Sequence, residues 1–193
     1  MKPIEIGITG GIGSGKSIVS HILLTMQYPV YDTDSRAKRI MDKPEVRQQL
    51  VEAWGASIIL DNNTIDRAQL AQIVFNSPAQ LARLNQIVHP AVRDDYALWV
   101  DRQDAPIVFV ESAILHQAQM DSRLHQVWIV EADNETRITR VMRRNNMTRS
   151  EVEARISSQQ PPHIDDKSRI IVNDNREALL PQIIKLLNSV NRK

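Results

Sequence analysis

Gly10-Gly11-Ile12-Gly13-Ser14-Gly15-Lys16-Ser17 places a lysine and a hydroxyl directly behind a glycine-rich run, in the pattern G-x-x-x-x-G-K-[ST]. Five of the six glycines lie between Gly7 and Gly15, so the chain concentrates its backbone freedom in one loop. Glycine there lets the N–H groups of Gly11, Ile12, Gly13, Ser14 and Gly15 turn inward around phosphate oxygens, and a helix opening at Ser17-Ile18 adds its partial positive charge. Lys16 is placed to reach the β- and γ-phosphates as a point charge, and the Ser17 hydroxyl to ligate Mg²⁺. The chemistry this loop calls for is that of a nucleoside triphosphate with magnesium.

Asp32 and Asp34 stand at the carboxyl end of the expected second strand, the edge where ligands bind in a parallel sheet. Phosphoryl transfer to a hydroxyl needs a carboxylate near the acceptor oxygen, and either aspartate could serve if the strand persists. The structural alternative makes Asp34 the N-cap of a helix over Ser35–Met41. Arg137, Arg140, Arg143 and Arg144 fall within eight residues. Arg140 and Arg144 are four apart and Arg137 precedes Arg140 by three, so three guanidinium groups share one helix face. They read as bidentate donors to phosphate oxygens, with a solvated basic face as the alternative; no aromatic interleaving supports RNA binding. His89 precedes Pro90 at an expected helix start, where a packing or capping role and a site role weigh equally. His21 and His116 carry no context that assigns them a role.

Absences narrow the class. A GTPase switch would need Asp-x-x-Gly, but Gly55 is preceded by Glu52-Ala53-Trp54, and no Asn-Lys pair exists to read guanine. The strand that would carry a mechanical ATPase's aspartate ends at Glu111 instead. A small-molecule kinase fits best. Another acceptor of that class, such as a nucleoside monophosphate, and a regulatory phosphate-loop ATPase are the alternatives.

The elements that must position these residues follow from periodicity. Ile4–Thr9 reads as a strand, Ser17–Gln27 as a helix with Val19, Ile22, Leu23 and Met26 on one face, and Val30–Asp32 as a short second strand. Helical windows follow at Pro44–Trp54, Asp66–Phe75, Pro78–Val88 and Pro90–Arg102, the prolines sitting at their starts. Ile107–Val110, Val127–Val130 and Ile170–Val172 are apolar runs of the kind covered on both faces. Helices are expected from Glu135 to about Asn145, from the capping-box spacing Thr148-Arg149-Ser150-Glu151, and over Glu177–Val190, where Pro181 sits awkwardly in the second turn. This is an α/β chain: a three-layer α/β/α core with about five parallel strands, a helical substrate lobe and a helical lid. We expect one domain over 1–193, with the core at about 1–34, 104–134 and 168–193, the lobe at about 35–103 and the lid at about 135–167. The 24 Lys+Arg against 23 Asp+Glu, a formal charge of +1, argue against coating nucleic acid or an anionic membrane. No run of about 18 apolar residues and no signal peptide are evident, and no cysteine is present. A cytoplasmic protein, monomeric or weakly self-associating, is the expectation.

The ordered set of motifs resembles the dephospho-coenzyme A kinase family nearly end to end. The resemblance is carried by Gly7 to Ser17, Asp32-Thr33-Asp34 where the family has Asp-Ala-Asp, Ile87-Val88-His89-Pro90, Arg140-Val141-Met142-Arg143-Arg144, the Arg155…Gln159 stretch and Ile171-Val172-Asn173-Asp174. It implies transfer of the ATP γ-phosphoryl to the ribose 3′-hydroxyl of dephospho-CoA. It also implies Asp34 as general base, Asp32 beside it at the acceptor or metal, and Arg140 and Arg144 as lid arginines on the phosphates. His89 would belong to the substrate site, and Asn173 or Asp174 would lie near the adenine. The segment Glu111-Ser112-Ala113-Ile114-Leu115-His116-Gln117 departs from the family's Val-Pro-Leu-Leu-Phe-Glu: it lacks the proline and carries Gln117 where the glutamate would fall.

Overall fold

A computed structural model describes residues 2–190. Its elements run β1 (Ile4–Thr9), α1 (Lys16–Thr25), β2 (Val30–Asp32), α2 (Thr33–Ile40), α3 (Pro44–Trp54), α4 (Arg67–Phe75), α5 (Pro78–Val100), β3 (Ile107–Glu111), β4 (Gln126–Glu131), α6 (Asn134–Asn145), α7 (Arg149–Ser158), β5 (Ser168–Val172) and α8 (Leu179–Val190). The chain divides into a sheet unit, up to Tyr31 and again from Gln103, and a helical unit, Asp32–Arg102.

The five strands form one sheet in the order β2-β3-β1-β4-β5. β1 pairs in parallel with both β3 and β4, and β4 in parallel with β5, so the carboxyl ends of the central strands gather at one edge. Alternation along each strand sends Ile6, Ile8, Ile107, Phe109, Trp128 and Val130 to one face, where they pack with Val19 and Leu23 of α1 and Ile183 and Leu187 of α8. Trp128 is fully buried, and its indole N–H donates to Gln126 Oε1 at 3.1 Å, so burial of the ring leaves no orphan donor. The stretch expected as a lid, 135–167, belongs to the same compact unit as the sheet. Ile138, Val141 and Val152 form a small core between α6 and α7, and Ile12 of the glycine loop packs into it.

The capping box appears as its spacing predicts: the Glu151 amide donates to Thr148 Oγ1 and the Thr148 amide to Glu151 Oε2. Pro181 is not awkward. Helix α8 starts at Leu179 rather than Glu177, which puts the proline in the first turn, where its missing N–H has no intrahelical partner to lose.

In the helical unit the expected pair of helices 78–88 and 90–102 is one helix, α5, with Pro90 inside it. His89 therefore lies in mid-helix and not at a helix start. The physical reason is the apolar stripe Val88, Val92, Tyr96 and Val100, buried at four-residue intervals straight through the proline. Packing of that stripe outweighs a lost backbone bond. Asp95 on the same helix receives Lys43 Nζ at 2.9 Å and Arg36 at 3.6 Å, and Gln80 accepts the Trp54 indole N–H at 2.8 Å.

An interior proline costs a helix about 3 kcal/mol. Pro90→Ala should therefore raise the urea midpoint at unchanged slope, with a gain of up to about 3 kcal/mol. A midpoint at or below that of the natural chain would mean that the ring's own packing compensates for the missing bond.

Candidate active site

The glycine loop joins β1 to α1. Gly15, the residue before α1, takes φ 99° and ψ 27°, and Gly13 takes φ 77°, backbone that favours glycine. Space is as restrictive as φ. A Cβ on Gly13 would lie 2.6 Å from the Arg137 carbonyl oxygen, and one on Gly15 would run into Asn173 Nδ2. The amides of Lys16 and Ser17, the first two of α1, have no intrahelical acceptor and, with the helix dipole, offer themselves to an anion.

Turning amides one way turns carbonyls the other, and the structure accounts for each carbonyl from Gly10 to Gly15. Lys16 Nζ donates to the oxygens of Gly10 (2.9 Å) and Gly11 (3.3 Å). Arg137 Nε donates to Ile12 O at 2.9 Å. Arg140 Nη1 donates to Gly13 O (3.4 Å) and Ser14 O (3.3 Å), and Asn173 Nδ2 to Ser14 O at 2.7 Å. Gly15 O accepts the amides of Ile18 and Val19 in the first turn of the helix. The amide of Ile12, expected to turn inward with its neighbours, instead donates to Gln159 Oε1 at 2.7 Å and ties the loop to the end of α7. Ile18 itself is half exposed, at 49%.

Arg137 and Arg140 are therefore already engaged with the loop, as sequence spacing alone did not anticipate. Arg140 Nη2 also donates to Asn173 O (3.0 Å), Asn173 Oδ1 (3.2 Å) and Asn175 Oδ1 (2.6 Å). Partial burial lowers the Arg137 pKa from its usual value. Arg144 is exposed and donates Nε to its neighbour Asn145 Oδ1 at 2.8 Å. Asn173 is buried, its amide N–H held by Glu131 O at 2.8 Å, and its side chain braces the loop.

Sequence reasoning left Glu111 without a role. It ends β3, and the Ser17 hydroxyl donates to its Oε1 at 3.0 Å. Register could have found it, because β3 pairs with β1 and so ends beside the strand that feeds the loop.

Asp32, Asp34 and His89 belong to the helical unit. Strand β2 ends at Asp32, so the two aspartates are not on one strand. Asp32, and not Asp34, is the N-cap of α2: its Oδ1 accepts the amides of Asp34 (3.0 Å) and Ser35 (3.2 Å), and its Oδ2 the Ser35 hydroxyl. Asp34 sits in the first turn with an exposed carboxylate. His89 is half-buried, and its pKa is lowered first by that burial and then by the positive charge of Arg93, one turn along α5.

Comparison with known proteins adds a second line. The family model for dephospho-CoA kinase matches residues 4–178. A dephospho-CoA kinase of Porphyromonas gingivalis is 37% identical over 194 residues, 98% of this chain and 96% of that one. One of Thermus thermophilus is 38% identical over 177 residues, covering 92% and 85%. Among solved structures, a Thermus thermophilus protein superposes with a TM-score of 0.81 at 34% identity, covering 100% of this chain and 98% of that one. A dephospho-CoA kinase from Campylobacter jejuni shares the fold with a TM-score of 0.67 at 22% identity.

Removing the Asn173 brace should leave Ser14 O with only the longer bond from Arg140 Nη1. Asn173→Ala is expected to destabilise the sheet unit by about 0.5–1.5 kcal/mol and to weaken nucleotide binding, read by denaturant titration and by calorimetry. His89 gives a pH signature. Its folded pKa lies below the unfolded value, so the unfolded state binds the proton first and stability is lost as pH falls below about 6.5. His89→Asn should flatten the decline of Tm between pH 7 and pH 5; an unchanged slope would assign that decline to other groups.

Proposed function

The chain belongs to the dephospho-CoA kinase family, and from that membership and the loop geometry we propose that it transfers the γ-phosphoryl group of ATP to the ribose 3′-hydroxyl of dephospho-CoA. The product is CoA, and the reaction is the last step of its synthesis. The observation that carries this reading is the family match over residues 4–178, which takes in the glycine loop, the helical unit and the arginine helix together. It favours neither a nucleoside monophosphate acceptor nor a regulatory ATPase.

The division of labour follows from the side chains. The loop from Gly11 to Ser17 cradles the β- and γ-phosphates of ATP, with Lys16 exchanging its loop carbonyls for phosphate oxygens. The adenine lies against the loop between β5 and α8 that Asn173 opens. Ser17 Oγ and the Glu111 carboxylate are hard oxygen donors 3.0 Å apart, the chemistry Mg²⁺ selects, and these two residues would hold the ion. Bound there, Mg²⁺ neutralises charge on the phosphate oxygens. Asp32 caps α2 while the Asp34 carboxylate stays exposed, which supports Asp34 as the carboxylate that takes the proton from the acceptor hydroxyl. Asp32 and His89 belong to the acceptor's surroundings. Arg144, solvated and four residues beyond Arg140, serves the charge that spreads over the transferring group.

A coupled ADP-release assay comparing dephospho-CoA with nucleotide and sugar acceptors tests the assignment, and a preference for any acceptor other than dephospho-CoA would overturn it. Lys16→Ala should abolish turnover in a folded protein. Asp34→Asn should lower kcat by roughly 10²–10⁴-fold with ATP binding nearly unchanged. The arginines should separate: Arg144→Ala lowers kcat more than it weakens ATP binding, whereas Arg140→Ala does both, because Arg140 already braces loop carbonyls. Equal effects in the two variants would place both on the same step.

A further inference from the structure

The segment from β3 to β4 and the segment from α7 to β5 line a cavity of about 780 Å³ within the sheet unit. Its apolar wall consists of Ala113, Leu115, Val127, Pro161, Pro162 and Ile164. Two carboxamides stand on it, one from each segment: Gln117 Nε2 donates to Gln160 Oε1 at 3.3 Å. A carboxamide offers two donor hydrogens and an acceptor oxygen, so this single bond leaves both residues able to serve a ligand that itself carries amides.

The ionisable groups of the cavity are of both signs. His116 Nδ1 pairs with Asp121 Oδ2 at 2.6 Å, and the His163 ring stacks on His116 with centroids 5.0 Å apart. Asp165 and Lys167 add one charge of each sign. A phosphate or diphosphate would call for an excess of cationic donors, which the arginine helix supplies elsewhere and this cavity does not. A neutral, flexible, partly apolar chain bearing amides matches both the wall and the carboxamide pair, and the volume is that of a small-molecule site.

We propose that this cavity takes the pantetheine arm of the acceptor, its dimethyl branch against the apolar wall and its two amides bonded to Gln117 and Gln160. The proposal rests on dephospho-CoA being the acceptor. It also gives the arm a path to the chemistry. Gln160, Pro161 and Pro162 also border the cavity beside the glycine loop, and Gln159, the preceding residue, accepts the Ile12 amide. Seating the arm would position the end of α7 and, through Gln159, the loop, so remote binding energy would be used at the reacting centre.

The chain has no cysteine, and the arm ends in a thiol, which makes a trapping experiment clean. Ile164→Cys and Ser122→Cys place a thiol on the cavity wall, and Leu180→Cys places one on an exposed position of α8. Each variant is treated with the symmetric disulfide of dephospho-CoA. The protein thiolate attacks one sulfur, a mixed disulfide forms, and one dephospho-CoA thiol leaves. At least one cavity variant should react in a saturable manner, roughly tenfold or more faster than Leu180→Cys. Gln117→Leu should raise KM for dephospho-CoA about three- to tenfold while leaving KM for ATP in place. If the natural enzyme turns over dephospho-CoA but neither cavity cysteine outpaces Leu180→Cys, the arm lies elsewhere and the proposal is overturned. No turnover of dephospho-CoA by the natural enzyme would overturn the acceptor assignment and the proposal with it.

Discussion

A loop can turn its backbone amides toward an anion only if the carbonyls of the same peptide planes find donors behind it. That constraint organises the sheet unit. Oxygens from Gly10 to Ser14 are held by Lys16, Arg137, Arg140 and Asn173, and the Ile12 amide, which faces the other way, is held by Gln159. Each of these bonds satisfies a group whose burial without a partner would cost more than the bond contributes. The arginine helix is thus part of the loop's foundation as well as a source of positive charge. Ile12 completes the attachment by packing between α6 and α7.

This arrangement couples binding to position. Lys16 is both a donor to loop carbonyls and the charge expected to meet the phosphates, so nucleotide binding must redistribute its bonds. Arg140 reaches the loop and the segment after β5 at once, which ties the strand on one edge of the sheet to the centre. The Ser17–Glu111 contact joins the start of α1 to the end of β3 and gathers two oxygen donors at the carboxyl edge. Parallel pairing is what places the loop, Glu111 and Asn173 at one edge of the sheet, because β1, β3 and β5 all run the same way.

The helical unit answers a different requirement. Its long helix α5 keeps a continuous buried stripe despite Pro90, and Asp32 closes the first turn of α2 with its own side chain. The capping choice has a chemical consequence. Of two aspartates that look equivalent in the sequence, one is committed to backbone amides and the other keeps its carboxylate exposed.

The sequence by itself determined whatever depends on local spacing. The glycine loop, its strand and helix, the capping box at Thr148 and the apolar runs of β1, β3, β4 and β5 are properties of neighbouring residues, and periodicity exposes them. Helix starts were less legible at Pro90 and Pro181, because a proline signals a boundary without saying on which side the helix continues. Only tertiary structure decided who holds the loop. Arg137 lies 125 residues from Ile12, Gln159 lies 147 from it and Asn173 lies 159 from Ser14, and nothing in their local patterns marks them as partners. A side-chain donor for a turned carbonyl can come from any element that passes behind the loop. Its identity follows from strand order and packing, which the chain acquires only on folding.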